Sequence, residues 1–91
     1  MNEVIKLIKG DTSREVFCRL QSIGPSEFYE ASARDFSPEM KFVLRDYLDY
    51  DDEQLIEYNG RRFRVLRTYR TGQELELTVQ RASAEEGGVY E

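Results

Sequence analysis

Glu53-Gln54-Leu55-Ile56-Glu57-Tyr58-Asn59-Gly60-Arg61-Arg62-Phe63-Arg64-Val65-Leu66-Arg67-Thr68-Tyr69-Arg70 carries the strongest structural signal in the chain. Asn59-Gly60 stands between two segments rich in strand formers and supplies the two positive-φ positions of a type I′ turn. Beyond the turn the residues alternate. Phe63, Val65 and Tyr69 project to one face, and Arg62, Arg64, Thr68 and Arg70 to the other. Leu66 and Arg67 break the alternation. The stretch predicts a hairpin with one apolar and one cationic side.

Working outward, Glu74 to Arg81 alternates most cleanly, with Leu75, Leu77 and Val79 against Glu76, Thr78 and Gln80. Pairing it with 61–70 through Thr71-Gly72-Gln73 sets Glu74 and Glu76 opposite the arginines. On the other side, Asp46 to Asp52 reads as an acidic loop carrying Tyr47, Leu48 and Tyr50. Before it, Glu39 to Arg45 alternates Met40, Phe42 and Leu44 with Lys41, Val43 and Arg45.

Further back, Val4 to Lys9 and Glu15 to Ile23 read as a hairpin across Gly10-Asp11-Thr12-Ser13. In the second of these, Val16, Cys18 and Leu20 share one face. Gly24-Pro25 stops the strand, Ser26 is the expected N-cap, and Glu27 falls in the first turn of a short helix over 28–34. Phe28, Tyr29 and Phe36 are its expected anchors, and Ser37-Pro38 ends it. Six short strands with one short helix between the second and third predict an all-β fold, a small antiparallel barrel spanning 1–82. Residues 83–91 read as a loose polar tail.

Ninety-one residues make one domain, which buries roughly 60 to 65% of its unfolded surface. The net charge of −5 argues against whole-molecule affinity for nucleic acid or anionic membrane. Its placement is uneven: Asp46, Asp49, Asp51, Asp52, Glu53 and Glu57 precede the turn, and Arg61, Arg62, Arg64, Arg67 and Arg70 follow it. No apolar run approaches the roughly 20 residues that cross a bilayer, and Met1-Asn2-Glu3 is no signal-peptide start, so a soluble cytoplasmic protein is expected.

Catalytic chemistry finds little support. The chain has no His, the commonest general base and zinc ligand. Cys18, alone among strand residues, reads as a core cysteine rather than a nucleophile, and it permits no intrachain disulfide. Asp49-x-Asp51-x-Glu53 begins like a calcium loop, but Gln54 holds the glycine position and Gly60 the bidentate-glutamate position, so no metal is expected. No cofactor is expected. The arginines leave three readings open: docking to protein, local salt bridges on a wet face, or nucleic-acid contact through Arg62 and Arg64 with Phe63 and Tyr69 stacking bases. Acidic and basic patches on one small domain suit head-to-tail contacts that close into a ring, with Asp49, Asp51 and Asp52 meeting the arginines of a neighbour.

Taken in order, Phe17-Cys18-Arg19-Leu20-Gln21-Ser22-Ile23-Gly24, Glu27-Phe28-Tyr29-Glu30-Ala31 and Ile56-Glu57-Tyr58-Asn59-Gly60-Arg61-Arg62-Phe63-Arg64-Val65-Leu66-Arg67 resemble the head closure proteins of tailed phages, also called head completion, head-tail joining or stopper proteins. Glu86-Gly87-Gly88-Val89-Tyr90 is similar to the Gly-x-Tyr ending of some members. The resemblance implies a non-enzymatic barrel subunit that assembles in rings, commonly of about twelve copies, below the portal or its adaptor. Such a ring retains packaged DNA, touches it only in passing, and presents a surface to the tail completion protein. It implies that Gly24 to Pro38 faces the axial channel, with Glu27, Phe28, Tyr29, Glu30 and Asp35 as the channel residues. Val89 and Tyr90 would anchor a docking tail. No membrane is implied; the protein would occupy the host cytoplasm during assembly and then the virion neck.

Overall fold

Asn59 and Gly60 adopt φ of 55° and 76°, both central positions left-handed as a type I′ turn requires. The computed structural model in which they sit describes residues 3–82. The turn joins β4 (Leu55–Tyr58) to β5 (Arg61–Thr71), and the remaining strands are β1 (Glu3–Lys9), β2 (Thr12–Gln21), β3 (Met40–Leu44) and β6 (Glu74–Arg81). They close into a barrel in the order β1-β2-β3-β6-β5-β4, every pairing antiparallel. Helix α1 (Pro25–Ser32) lies between β2 and β3, and a 3-10 turn covers Tyr47–Asp49. The fold is therefore the expected all-β barrel of six strands with one short helix. Residues 83–91, with Val89 and Tyr90, lie outside the described residues.

The interior holds most of the side chains that alternation assigns to it, but Leu20, expected with Val16 and Cys18, is 41% exposed, and Val16 is only partly buried. Ile5, Leu7, Cys18, Phe42, Leu44, Ile56, Phe63, Val65, Leu75, Leu77 and Val79 form one buried cluster. Phe42 stands at its centre, edge-on to Tyr58 at 5.4 Å and to Phe63 at 5.8 Å between ring centroids. Edge-to-face contacts set the positive rim of one ring against the negative face of the next.

The break at Leu66 is a β-bulge, and it changes the faces beyond it. Val65 lies opposite Val79, but Arg67 lies opposite Thr78, so Leu66 is one residue too many. An inserted residue reverses the parity of the rest of its strand. Thr68 and Arg70 come to lie opposite Leu77 and Leu75, and Tyr69 opposite Glu76. Tyr69 thus leaves the face of Phe63 and Val65, contrary to the simple alternation, and is 54% exposed. The bulge also removes the expected register of Glu74 and Glu76 against the arginines: they face Thr71 and Tyr69.

The helix begins earlier than expected and is held differently. Gly24, not Ser26, is its N-cap, with Pro25 in the first turn. Glu27 Oε1 accepts the Gly24 N–H at 3.0 Å, so the carboxylate supplies the returning half of a capping box. β2 already ends at Gln21, short of the expected Ile23 and ahead of Pro25, and proline instead starts α1, because its fixed φ suits the first helical position. Of the three expected anchors, Phe28 and Tyr29 are 45% and 79% exposed and Phe36 is half-buried, and α1 buries no residue.

Candidate interaction surface

Strand β3 is covered on both faces, and that creates the polar centre of the outer wall. Lys41, Val43 and Thr78 alternate outward, yet they are buried. Two devices cover them. Arg19 of β2 and Glu74 of β6 meet across β3 through two hydrogen bonds of 2.6 and 3.2 Å, spanning the strand near Val43. Nearby, Glu27 of α1 reaches inward, and Lys41 Nζ donates to both of its carboxylate oxygens at 3.0 Å. Glu76 Oε1 is a further 3.4 Å partner of the same ammonium.

This triad decides how α1 is held. Hydrogen bonding to the Gly24 N–H first, and to Lys41 second, holds the Glu27 carboxyl below the ordinary carboxylate value. Burial alone would pull Lys41 down, but the Glu27 bond and the charges of Glu27 and Glu76 outweigh it, and its pKa is raised. A depressed carboxylate contributes stability that is present above its unfolded pKa and lost as pH falls through the folded value. A raised lysine contributes stability that is full below its unfolded pKa and lost as pH rises through the folded value. The Glu27–Lys41 pair is therefore charged across neutral pH, its contribution lost only on the acid side as Glu27 protonates and on the alkaline side as Lys41 deprotonates. Glu27→Ala should speed amide exchange across 25–33 about tenfold or more while β3 and β6 keep their protection, because it removes both the cap and the tether. Equal acceleration in all three elements would show that the helix is not separately tethered.

The residues expected to face a channel divide. Glu27 is committed to Lys41, whereas Glu30 and Asp35 are exposed, Asp35 with φ of 64°. A cleft of about 420 Å³ separates α1 from the wall of β5 and β6, lined among others by Glu30, Arg34, Phe36, Leu66 and Arg67. Through the Glu27–Lys41 bonds the helix is tied to the outer face of β3.

Nor do the arginines form one patch facing one acidic patch. Arg61, Arg62, Arg64, Arg67 and Arg70 are all exposed, but they run the length of β5. Arg62 Nε stands 4.0 Å from Glu57, and the Arg70 guanidinium lies 3.5 Å over the Tyr47 ring at the far end. The acidic loop folds back on the β1–β2 end. Asp51 pairs with Lys9 at 3.4 Å, Arg14 bonds the Asp49 carbonyl, and buried Glu53 accepts from Arg14 Nε at 3.1 Å and from the Asp51 N–H at 2.7 Å. Asp49, Asp51 and Asp52 remain exposed. Tyr50 donates its hydroxyl to the Glu53 carbonyl, and burial, with Asp52 and Glu53 adding, pushes its pKa up to about 12.

Phe63 is 2% exposed and cannot stack on a base, so the nucleic-acid reading keeps only Tyr69 of its two rings. Cys18 is buried, and burial, helped by Glu3, pushes its thiol up to about 11. Iodoacetamide at neutral pH should modify it at least about a hundredfold more slowly than a free thiol; rapid labelling of the native protein would place Cys18 outside the core. Among the described residues no three His, Cys, Asp or Glu side chains group as a metal site, and no helix is long and apolar enough to cross a membrane. Sequence reasoning missed Lys41, Glu53 and Thr78, the buried polar residues. Alternation marked Lys41 and Thr78 as outward, and nothing local showed that the outer wall would be covered.

Neither the models of known protein families nor the curated proteins give a match to this chain.

Proposed function

We propose that the protein is an assembly subunit, a rigid barrel that works by being held between copies of itself and neighbouring proteins. The particle it serves, on the resemblance of its sequence, is a tailed phage, in which it is the head closure protein. There it forms a ring below the portal or adaptor, retains the packaged DNA and receives the tail completion protein.

The observation that supports this best is the set of large apolar side chains left exposed on the outside of the barrel and on α1. Val4 and Phe17 lie opposite each other on β1 and β2 at 45% and 63% exposure, and Phe28 and Tyr29 of α1 are likewise exposed. None of the four serves the core. Separate exposed apolar patches on a small domain suit contacts with different partners. The cations of β5 add charged rims to such contacts, which set orientation and encounter rate more than affinity.

The test is reconstitution. DNA-filled heads lacking this protein should leak their genome and fail to join tails, and the added wild-type protein should restore both. Arg62→Glu with Arg64→Glu should abolish restoration while the circular dichroism of the variant stays unchanged. Full restoration by that variant would remove the arginines from docking; heads that stay filled and infectious without the protein would end the proposal.

A further inference from the structure

The turn at Asn59-Gly60 also sets a chemical fate for the asparagine. The chain holds two asparagines, Asn2 and Asn59, and only the second is followed by glycine. An asparagine so placed is open to attack by the next backbone nitrogen. The Gly60 nitrogen adds to the side-chain carbon Cγ, closing a five-membered succinimide. The Cγ–Nδ2 bond breaks, and the Gly60 amide proton leaves with the departing ammonia. Water then adds OH to one ring carbonyl and H to the nitrogen, giving aspartate or isoaspartate according to which carbonyl it attacks.

Nothing beside the turn guards Asn59. Both residues are exposed, and the asparagine side chain has no hydrogen bond among the described residues. Around Gly60 the space is open, with no atom within 4 Å of where a Cβ would stand. The backbone is what stands in the way. At φ of 55° Asn59 is left-handed, a region in which ψ is about +30° to +47°. In an L residue Cβ is offset about 120° from the backbone nitrogen around the Cα–C bond, so the Gly60 nitrogen lies about 150° or more from Cβ. Ring closure needs the two eclipsed. Here they are nearly opposite. The flanking ladder fixes this arrangement: Tyr58 pairs with Arg61, Glu57 with Arg62, and Ile56 with Phe63, the last two side chains buried. Rotating Asn59 into the reactive conformation breaks the turn and opens the end of that ladder.

We propose that Asn59 is a succinimide-forming modification site held shut by its own turn, converting only from an opened hairpin, and that its two products differ in their effect on the barrel. Aspartate keeps the turn, because Asp-Gly serves type I′ as Asn-Gly does. Isoaspartate does not. Its main chain runs through the side-chain carbons, which inserts an extra backbone atom into a two-residue turn whose length sets the register of β4 on β5. Arg61 and Arg62, the first residues beyond the turn, lose their places first. The site is a property of the hairpin and owes nothing to the assembly role.

Ageing the full-length protein in mildly alkaline buffer, native and unfolded in guanidinium chloride, tests the protection. Peptide mapping by mass spectrometry should find conversion at Asn59 at least about tenfold slower in the native protein, since reaction waits on opening of the hairpin end. Equal rates would show that the turn does not restrain the asparagine and would overturn the proposal. The products are compared through the Asn59→Asp variant and the isoaspartyl form recovered by chromatography from aged protein. Amide exchange in β4 and β5 beside the turn should match the wild type in Asn59→Asp and run about tenfold faster in the isoaspartyl form. An isoaspartyl form as well protected as the wild type, or an Asn59→Asp variant that loses the hairpin, would refute the assigned difference between the products.

Discussion

Phe42→Ala is expected to remove about 3–5 kcal/mol of folding stability, the largest loss from any single truncation in this barrel. The ring is fully buried, and it packs edge-on against two others, Tyr58 and Phe63. Truncation forfeits the transfer energy of the ring and leaves a cavity that its neighbours fill poorly, because Leu44, Leu77 and Val79 belong to strands paired on both sides. A domain of this size has roughly 5–10 kcal/mol in total. Urea denaturation of the variant should therefore show a midpoint lowered by about half with an unchanged slope. A loss under about 1 kcal/mol would mean that the interior is organised around some other residue.

Lys41→Ala should have the second largest effect, about 2–4 kcal/mol at pH 7, and an effect that depends on pH. The substitution removes a buried alkyl stem and leaves Glu27 and Glu76 facing one another without the ammonium that both approach. In the wild type, stability falls as pH drops through the depressed Glu27 value, because protonation weakens the bond from the Gly24 N–H and discards the bond to Lys41. In the variant there is no such bond to lose, and protonation relieves a repulsion. The difference between the two proteins should accordingly shrink as pH falls from 7 to about 3. Paired denaturation curves at the two pH values measure this. A difference that stays constant would assign the loss to the alkyl stem and remove the ion pairs from the account. Lys41→Met, which keeps most of the stem, separates the same two contributions.

The sites tested by these variants were not equally visible before the fold was known. Phe42 was legible from alternation with Met40 and Leu44, and so were Leu75, Leu77 and Val79, since a period of two reports which side of a sheet faces the interior. Lys41 was assigned to solvent by the same rule. The rule knows only one sheet, and it has no means of anticipating a helix and an Arg19–Glu74 bridge laid over the outer wall.

The cationic stretch shows the same division within eleven residues. The turn, the strand and the burial of Phe63 and Val65 follow from local residue types, and the interruption at Leu66-Arg67 is visible in the sequence. Which way the interruption resolves is not. Because β6 pairs through the bulge, Tyr69 is turned out beside Glu76 and Arg70 is carried to Tyr47. The acidic loop likewise reads as acidic from composition, but its engagement with Lys9 and Arg14 depends on β1 and β2 arriving there from more than thirty residues away.

Residue order alone determined the strand count, the turn at Asn59-Gly60, the inner faces of the strands short of Leu66 and the short helix after β2. Each follows from dihedral preference or alternation over a few neighbours. Tertiary structure alone decided the double covering of β3, the charged tether of α1 and the reversed faces beyond Leu66. Each of these depends on which strand ends where beside another. That is a matter of register between distant segments, and no local pattern encodes it.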